Sequence, residues 1–179
     1  MRKLTIISFA ALFAISAAAF AAGGGGTSTS TTKLKCKSGE VVKTITVNGV
    51  KKKACVKASS GVLPDEELYQ QARLLAKEGQ YEWALQILAL IQNQNDPRVL
   101  NYIGYSNRKA GRLEIGISYY RKALAINPNF VLAREYLGEG YVAAGKIDLA
   151  KAELAEIANR CGTTCEEYKD LSAAIAAAN

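Results

Sequence analysis

The stretch LNYIGYSNRKAGRLEIGISYYRKALAINP, residues 100–128, contains two helical segments separated by a glycine. Apolar side chains recur every three or four positions on both sides of Gly111, which is the spacing of an amphipathic helix. Gly111 suits the left-handed position at which helices commonly end, and Pro128 cannot continue the second helix. The stretch therefore predicts one helix–turn–helix unit.

The same unit recurs along the chain. Gly104 and Gly138 are 34 positions apart, as are Gly111 and Gly145. An earlier copy, LYQQARLLAKEGQYEWALQILALI, places Gly79 32 positions before Gly111, so the loop after that copy is shortened. A period near 34 residues, with one helix pair in each copy, predicts a helical repeat array.

The residues at corresponding positions in the three copies resemble the tetratricopeptide repeat pattern. The matching residues are Leu100, Ile103, Gly104, Gly111, Ile117, Tyr120, Ala123 and Pro128, then Leu137, Gly138, Tyr141, Gly145, Ala150 and Leu154, and in the first copy Ala72, Gly79, Tyr81, Ala84 and Leu88. The resemblance implies an all-α fold, a tetratricopeptide-like solenoid of three helix pairs over residues 65–162. It specifies a function only in outline, because such repeats are generic protein-binding scaffolds.

A capping helix is predicted after the last repeat. The final unit of a solenoid needs a cap, because no further repeat covers its apolar face. In residues 163–179, Leu171 and Ile175 fall on one helical stripe, together with Tyr168. Thr164 and Glu167 have the spacing of a capping box at the start of this helix.

The beginning of the chain predicts an export signal. Arg2 and Lys3 precede an uncharged apolar run that ends in the small-residue pattern of a signal-peptidase site at Ala21. The run is shorter than the roughly 20 residues of a membrane-spanning helix, so we expect a cleaved signal peptide over residues 1–21. Residues 22–32 are rich in Gly, Ser and Thr and predict a flexible linker. We therefore expect a periplasmic or secreted protein.

Residues 33–58 predict a basic β-hairpin, joined to the repeats by a short linker over residues 59–64. The segment is rich in Val, Ile and Thr, and Asn48-Gly49 is a favourable two-residue hairpin turn. Eight lysines and one acidic residue lie between positions 33 and 57. The candidate basic surface consists of Lys43, Lys51, Lys52 and Lys53. Attachment to an anionic surface or polymer (lipid, cell-wall material or nucleic acid) is one interpretation, and lysines that only aid solubility are another.

Four cysteines in an exported protein predict two disulfides. We expect Cys36–Cys55 within the hairpin and Cys161–Cys165 between the last repeat and the cap, because bridges between the modules would require the two ends of a solenoid to meet. For CGTTC, a redox couple or a metal site remains as an alternative to a structural disulfide. The spacing differs from C-x-x-C, and a zinc site would have to use all four cysteines because the chain has no histidine.

The sequence offers no recognisable catalytic set. It has no histidine, no phosphate-binding glycine loop and no metal-ligand spacing. Glu135 and Glu139 are one helical turn apart, but a solvated face explains them better than a catalytic pair. We therefore expect no enzyme, no cofactor and no small-molecule substrate.

The resemblance implies a partner-binding groove lined by the first helix of each pair. The groove positions that it maps onto this chain are Tyr69, Arg73, Asn101, Tyr105, Arg108, Glu135 and Glu139. The set does not reproduce the carboxylate clamp of the family, so it does not favour recognition of a peptide C-terminus. The expected partner is an unknown protein or peptide.

Overall fold

The computed structural model describes residues 34–178. The predicted signal peptide and the linker over residues 22–32 lie outside these residues. Two strands open the described part, β1 (Glu40–Val47) and β2 (Val50–Lys57), and they form an antiparallel hairpin. None of the helices between residues 34 and 178 is long and apolar enough to cross a membrane.

Seven helices follow the hairpin within residues 34–178, and they pack as three successive pairs and a cap. They are α1 (Asp65–Lys77), α2 (Tyr81–Leu88), α3 (Pro97–Lys109), α4 (Leu113–Ile126), α5 (Val131–Ala143), α6 (Ile147–Cys161) and α7 (Glu166–Ala177). Helices α1, α3 and α5 each pack on the helix that follows, and α7 packs on both α5 and α6. The predicted solenoid of three helix pairs with a capping helix is confirmed.

Two kinds of glycine explain why the pairs close tightly. Gly111 lies between α3 and α4 at a φ of +86°, a left-handed conformation that glycine adopts without strain. Gly104 lies inside α3, where a Cβ atom would stand 2.7 Å from the ring of Tyr120 on α4. Gly138 on α5 is covered by Leu171 of α7 in the same way. The mid-helix glycines are therefore sites of close helix approach.

The hairpin packs on the first helix pair. Its register places Val42 opposite Cys55 and Val47 opposite Val50, as the Asn48-Gly49 turn predicts. Val41 is 1% exposed and belongs to the same apolar core as the helices. The disulfide Cys36–Cys55 ties the segment before β1 to β2, with a Cα–Cα distance of 5.5 Å.

Two polar side chains of the first helix pair hold the outer edge of β1. The Gln71 side chain of α1 donates through Nε2 to the carbonyl of Val42 and accepts through Oε1 from the Val42 amide, both at 2.8 Å. Trp83 of α2 donates through Nε1 to the carbonyl of Glu40 at 3.1 Å. The hairpin therefore does not stand alone, which would be marginal for two strands in water.

The second predicted disulfide, Cys161–Cys165, joins the end of α6 to the start of α7, with Cα atoms 6.0 Å apart. The predicted capping box of Thr164 and Glu167 is wrong. Helix α7 begins at Glu166, its N-cap is the disulfide-bonded Cys165, and no side chain caps it. Leu171 and Ile175 are buried, so the helix still covers the last repeat.

Candidate functional site

The first helices of the three pairs present a row of tyrosines. We call the side formed by α1, α3 and α5 the first-helix face, because α3 packs on both α1 and α5. Ring centroids are 5.7 Å apart between Tyr69 and Tyr102, 5.9 Å between Tyr102 and Tyr105, and 5.1 Å between Tyr105 and Tyr136. The row therefore runs continuously from α1 across α3 to α5, at distances typical of tilted and edge-to-face aromatic contacts.

These tyrosines bury one another. Tyr102 and Tyr105 are one helical turn apart and therefore lie on the same face of α3. Burial raises the pKa of Tyr69 to about 12 and also raises the pKa values of Tyr102, Tyr105 and Tyr136. Their hydroxyls therefore remain protonated at neutral pH. They serve as hydrogen-bonding and packing groups, not as bases.

Lys77, at the end of α1, extends across this row. Its ammonium lies 4.8 Å from the ring centroid of Tyr105 and 5.1 Å from that of Tyr136, and it donates a 2.6 Å hydrogen bond to the Tyr136 hydroxyl. A cation at these distances is attracted by the faces of both rings. Tyr105 and Tyr136 thus form a binding position for an ammonium group, which the chain fills with its own side chain.

Arg108 and Glu139 form an ion pair between α3 and α5. The guanidinium donates through Nη2 to a Glu139 carboxylate oxygen and through Nε to the Tyr120 hydroxyl at 3.1 Å. The Arg108 side chain is only 9% exposed. These two predicted groove residues are therefore engaged with each other and help to join α3, α4 and α5.

Glu135 is the buried acid of the first-helix face. It is 5% exposed, and its carboxylate has no hydrogen bond or ion pair among residues 34–178. Burial and, to a smaller extent, the nearby carboxylates of Glu139, Asp170 and Glu167 raise the pKa of Glu135 to about 8, against the opposing effect of Lys77. The carboxyl group is thus largely protonated at neutral pH.

The other predicted groove residues lie on the same helices. Asn101 is fully buried on α3, and neither its Oδ1 nor its Nδ2 has a partner in the described part of the chain. The Arg98 guanidinium lies 4.8 Å from the ring centroid of Tyr69. Arg73 is half-buried and lies on α1, as Tyr69 does. Ser106 on α3 is buried without a partner in the same way as Asn101 within the described residues, and such groups are uncommon in folded proteins.

Three residues of this face were not predicted from the sequence: Lys77, Tyr102 and Tyr136. Lys77 lies two turns after Tyr69 on α1, so helical spacing from Tyr69 would have predicted that it lies on the same face. The two tyrosines are identified only by their contacts in three dimensions. Tyr102 packs between Tyr69 and Tyr105, and Tyr136 packs against Tyr105 and Lys77.

The candidate basic surface is divided between the two faces of the hairpin. Lys51 and Lys53 point to one face and Lys52 to the other, since side chains alternate along a strand. All three are exposed, whereas Lys43 is half-buried. At the tip, Val47 and Val50 are 41% and 56% exposed. The structure therefore places an apolar tip beside the lysines.

Two further features lie outside the first-helix face. A cavity of about 460 Å³ lies between the hairpin and α1–α2, with Leu34, Leu74 and Trp83 in its walls. Each disulfide has one carboxylate nearby, Glu40 for Cys36–Cys55 and Glu167 for Cys161–Cys165. Sulfurs bonded in a disulfide are not thiolates and therefore make poor metal ligands.

No protein-family model matches the chain, and no curated protein matches it in sequence. Its structure is similar to several solved helical domains. The first TPR domain of RPAP3 (Spaghetti), bound to the HSP90 peptide SRMEEVD, has a TM-score of 0.53 and 17% identity, over 63% of this chain and 93% of that one.

Two type III secretion chaperones are also similar. The Yersinia enterocolitica translocator chaperone SycD, in complex with a peptide of the translocator YopD, has a TM-score of 0.54 and 20% identity, over 66% of this chain and 93% of that one. PcrH, in complex with the chaperone-binding region of PopB, has a TM-score of 0.54 and 19% identity, over 67% of this chain and 99% of that one. These likenesses show that the chain has a tetratricopeptide-like fold.

Proposed function

We propose that this protein is an exported, non-enzymatic scaffold that binds a peptide segment of a protein partner on its first-helix face. The observation that carries the proposal is the polar lining of that face, where Glu135 is 5% exposed and has no hydrogen-bond partner among residues 34–178. A polar group left without a partner in a poorly solvated place is costly, and a bound chain would supply the missing hydrogen bond.

The chemistry of the face supports the same proposal. Tyr69, Tyr102, Tyr105 and Tyr136 offer rigid rings with polar ends, and tyrosine is favoured at the centres of protein interfaces. Three proteins with the same fold bind peptides or short protein regions in their own complexes. The fold alone does not specify a ligand, so the side chains of this face carry the argument.

Export is proposed from two sources. Disulfides persist in oxidising compartments, and the two bridges Cys36–Cys55 and Cys161–Cys165 indicate such an environment. The signal-peptide pattern over residues 1–21 supports a periplasmic or secreted location. Mass spectrometry of the exported fraction should find the mature N-terminus at position 22, whereas a chain that begins at Met1 in the cytoplasm would contradict export.

Site-specific photo-crosslinking tests the binding face. Twelve-residue peptides are selected against the oxidised protein by phage display. A photo-reactive amino acid is then placed at Arg73 on the first-helix face or, as a control, at exposed Ser118 on α4. Selected peptides should crosslink at position 73 and not at position 118. Equal crosslinking at both positions, or the failure to select any binding peptide, would contradict the proposal.

The hairpin supports a second candidate function, attachment to an anionic lipid surface. The observation that favours it is the exposed apolar tip of Val47 and Val50 beside Lys51, Lys52 and Lys53. Apolar side chains can enter the headgroup region, and each nearby lysine contributes roughly 1 kcal/mol of attraction to an anionic surface.

Vesicle co-sedimentation tests this candidate. The protein should sediment with phosphatidylglycerol vesicles and not with phosphatidylcholine vesicles. Replacing the three lysines by glutamine, or Val50 by aspartate, should abolish the difference. Binding that survives both changes would exclude the hairpin tip, and replacing three exposed helix lysines by glutamine, Lys122, Lys151 and Lys169, serves as a control for net charge.

A further inference from the structure

Lys77 fills the space between Tyr105 and Tyr136 with a long, flexible side chain. Its ammonium makes one hydrogen bond, to the Tyr136 hydroxyl, and forms no ion pair with a carboxylate among residues 34–178. The residue as a whole is exposed. A lysine side chain that swings out regains hydration in water, which offsets the ring contacts and the hydrogen bond that it loses when another ammonium group displaces it.

A buried acid lies close to the same position. Glu135 precedes Tyr136 on α5, and its carboxyl group interacts electrostatically with the Lys77 ammonium. Glu135 is 5% exposed and has no hydrogen-bond partner of its own in the described part of the chain. Two aromatic faces with one carboxyl group beside them are the components of a site for an organic cation.

We propose that Tyr105, Tyr136 and Glu135 recognise a lysine side chain of the bound peptide, and that Lys77 occupies this position only until the peptide displaces it. The proposal rests on the proposed function and specifies its ligand. The incoming ammonium takes the place of the Lys77 ammonium over the two rings, and its charge favours ionisation of the Glu135 carboxyl group, which then pairs with it. Lys77 then moves into solvent.

The charges around the site favour this exchange. Helix α7 brings Glu167 and Asp170 near Glu135, and α5 contributes Glu139. The Arg108 guanidinium lies 5.8 Å from the Tyr136 ring centroid, but it is engaged by Glu139, and the Lys109 ammonium lies 5.9 Å from the Tyr105 ring centroid. Once Lys77 has left, three acids (Glu135, Glu167 and Asp170) face Lys109, so a cationic ligand is preferred to a neutral or anionic one.

The test compares blocked nine-residue peptides of glycine, serine, alanine and leucine that carry a single central lysine, norleucine or glutamate. Their binding to the oxidised full-length protein is measured by fluorescence anisotropy at pH 8. We expect the lysine peptide to bind about tenfold more tightly than the norleucine peptide, because a desolvated cation–π contact with a carboxylate partner is worth somewhat more than 1 kcal/mol. The glutamate peptide should bind most weakly.

Two variants separate the parts of the site. Glu135→Gln should bring the lysine peptide down to the affinity of the norleucine peptide and leave the latter unchanged. Lys77→Met should strengthen binding of the lysine peptide about threefold or more, since no ammonium group at position 77 then competes for the place over the rings. Lys122→Met is the matched control, because Lys122 lies 4.7 Å from the ring centroid of Tyr119 on α4, away from the first-helix face.

The outcomes distinguish this proposal from the one on which it rests. Equal binding of all three peptides would overturn the lysine site and leave a general peptide-binding face. No binding of any peptide would overturn both. A Lys77→Met variant that binds the lysine peptide no better than Lys122→Met does would overturn the displacement of Lys77.

Discussion

Arg108 and Glu139 are 31 positions apart in the sequence, yet they form an ion pair between α3 and α5 with the Arg108 side chain 9% exposed. The pair lies within the helix array, so each charge depends on the other for compensation. Removing one partner leaves the other charge in a poorly solvated place, which costs more than the pair itself contributes.

The first prediction follows from this pair. Glu139→Gln should lower the free energy of unfolding by about 3 kcal/mol, because the Arg108 guanidinium loses its counter-charge. Urea denaturation measures the change. Glu82→Gln, which breaks the exposed pair of Glu82 with Arg112, is the control and should change stability by less than about 1 kcal/mol. Similar losses of stability in the two variants would mean that the pair of Arg108 with Glu139 contributes no more than a surface pair.

The second prediction concerns Gly104. Gly104→Ala should destabilise the protein by about 2 kcal/mol although alanine is the better helix former, because the added methyl group meets the Tyr120 ring at 2.7 Å. Thermal unfolding measures the loss. The double variant with Tyr120→Leu should be less destabilised than the sum of the two single variants. Simple additivity would place the cause elsewhere in α3.

The third prediction is a pH dependence set by Glu135. The pKa of this carboxyl group is raised from about 4.5 to about 8 in the folded protein, so the folded state binds the proton more tightly than the unfolded state. Stability should therefore fall as pH rises from about 4.5 to about 8. Glu135→Gln should remove this contribution. The difference in unfolding free energy between the variant and the wild type should therefore be about 2 kcal/mol more favourable to the variant at pH 8.5 than at pH 5.

Denaturant unfolding of both proteins at the two pH values measures this difference. The comparison cancels the other titrating groups, because both proteins share them. A difference in unfolding free energy between variant and wild type that is the same at both pH values would show that Glu135 titrates normally.

The fourth prediction separates the two disulfides. Replacing Cys36 and Cys55 by serine should destabilise the hairpin, since the bridge closes a loop between residues 19 positions apart, worth about 3 kcal/mol in the chain-entropy estimate. Hydrogen exchange should then show faster exchange in β1 and β2 and unchanged protection in α3 to α6. Replacing Cys161 and Cys165 should instead speed exchange in α7. A loss of protection along the whole chain in either variant would mean that the modules unfold as one unit.

The features that the sequence predicts correctly are local ones. The repeat glycines, the Asn48-Gly49 register and both disulfides depend on residues close together in the sequence, where spacing alone limits the geometry. The contacts that the sequence did not reveal join residues far apart. Lys77 reaches Tyr136 across 59 positions, and Gln71 reaches Val42 across 29. Periodicity gives the face on which a side chain lies, but not which distant residue a long side chain meets.

The same limit applies to the predicted groove. The repeat resemblance assigns seven residues to the first-helix face, and the structure places all seven on α1, α3 and α5. Their availability could not be read from the sequence. Arg108 and Glu139 are occupied with each other, whereas Glu135 has no partner among residues 34–178, and that difference arises from packing between helices.

The contact of Gln71 with Val42 has a consequence for association between copies of this protein. The Gln71 amide pairs with both the amide and the carbonyl of Val42, as the peptide group of a third strand would. A strand from another chain therefore cannot align along this part of β1 while α1 is folded, and exposed strand edges are templates for aggregation. Helix α1 thus shields one edge of the hairpin, and partial unfolding of α1 would expose that edge to neighbouring molecules.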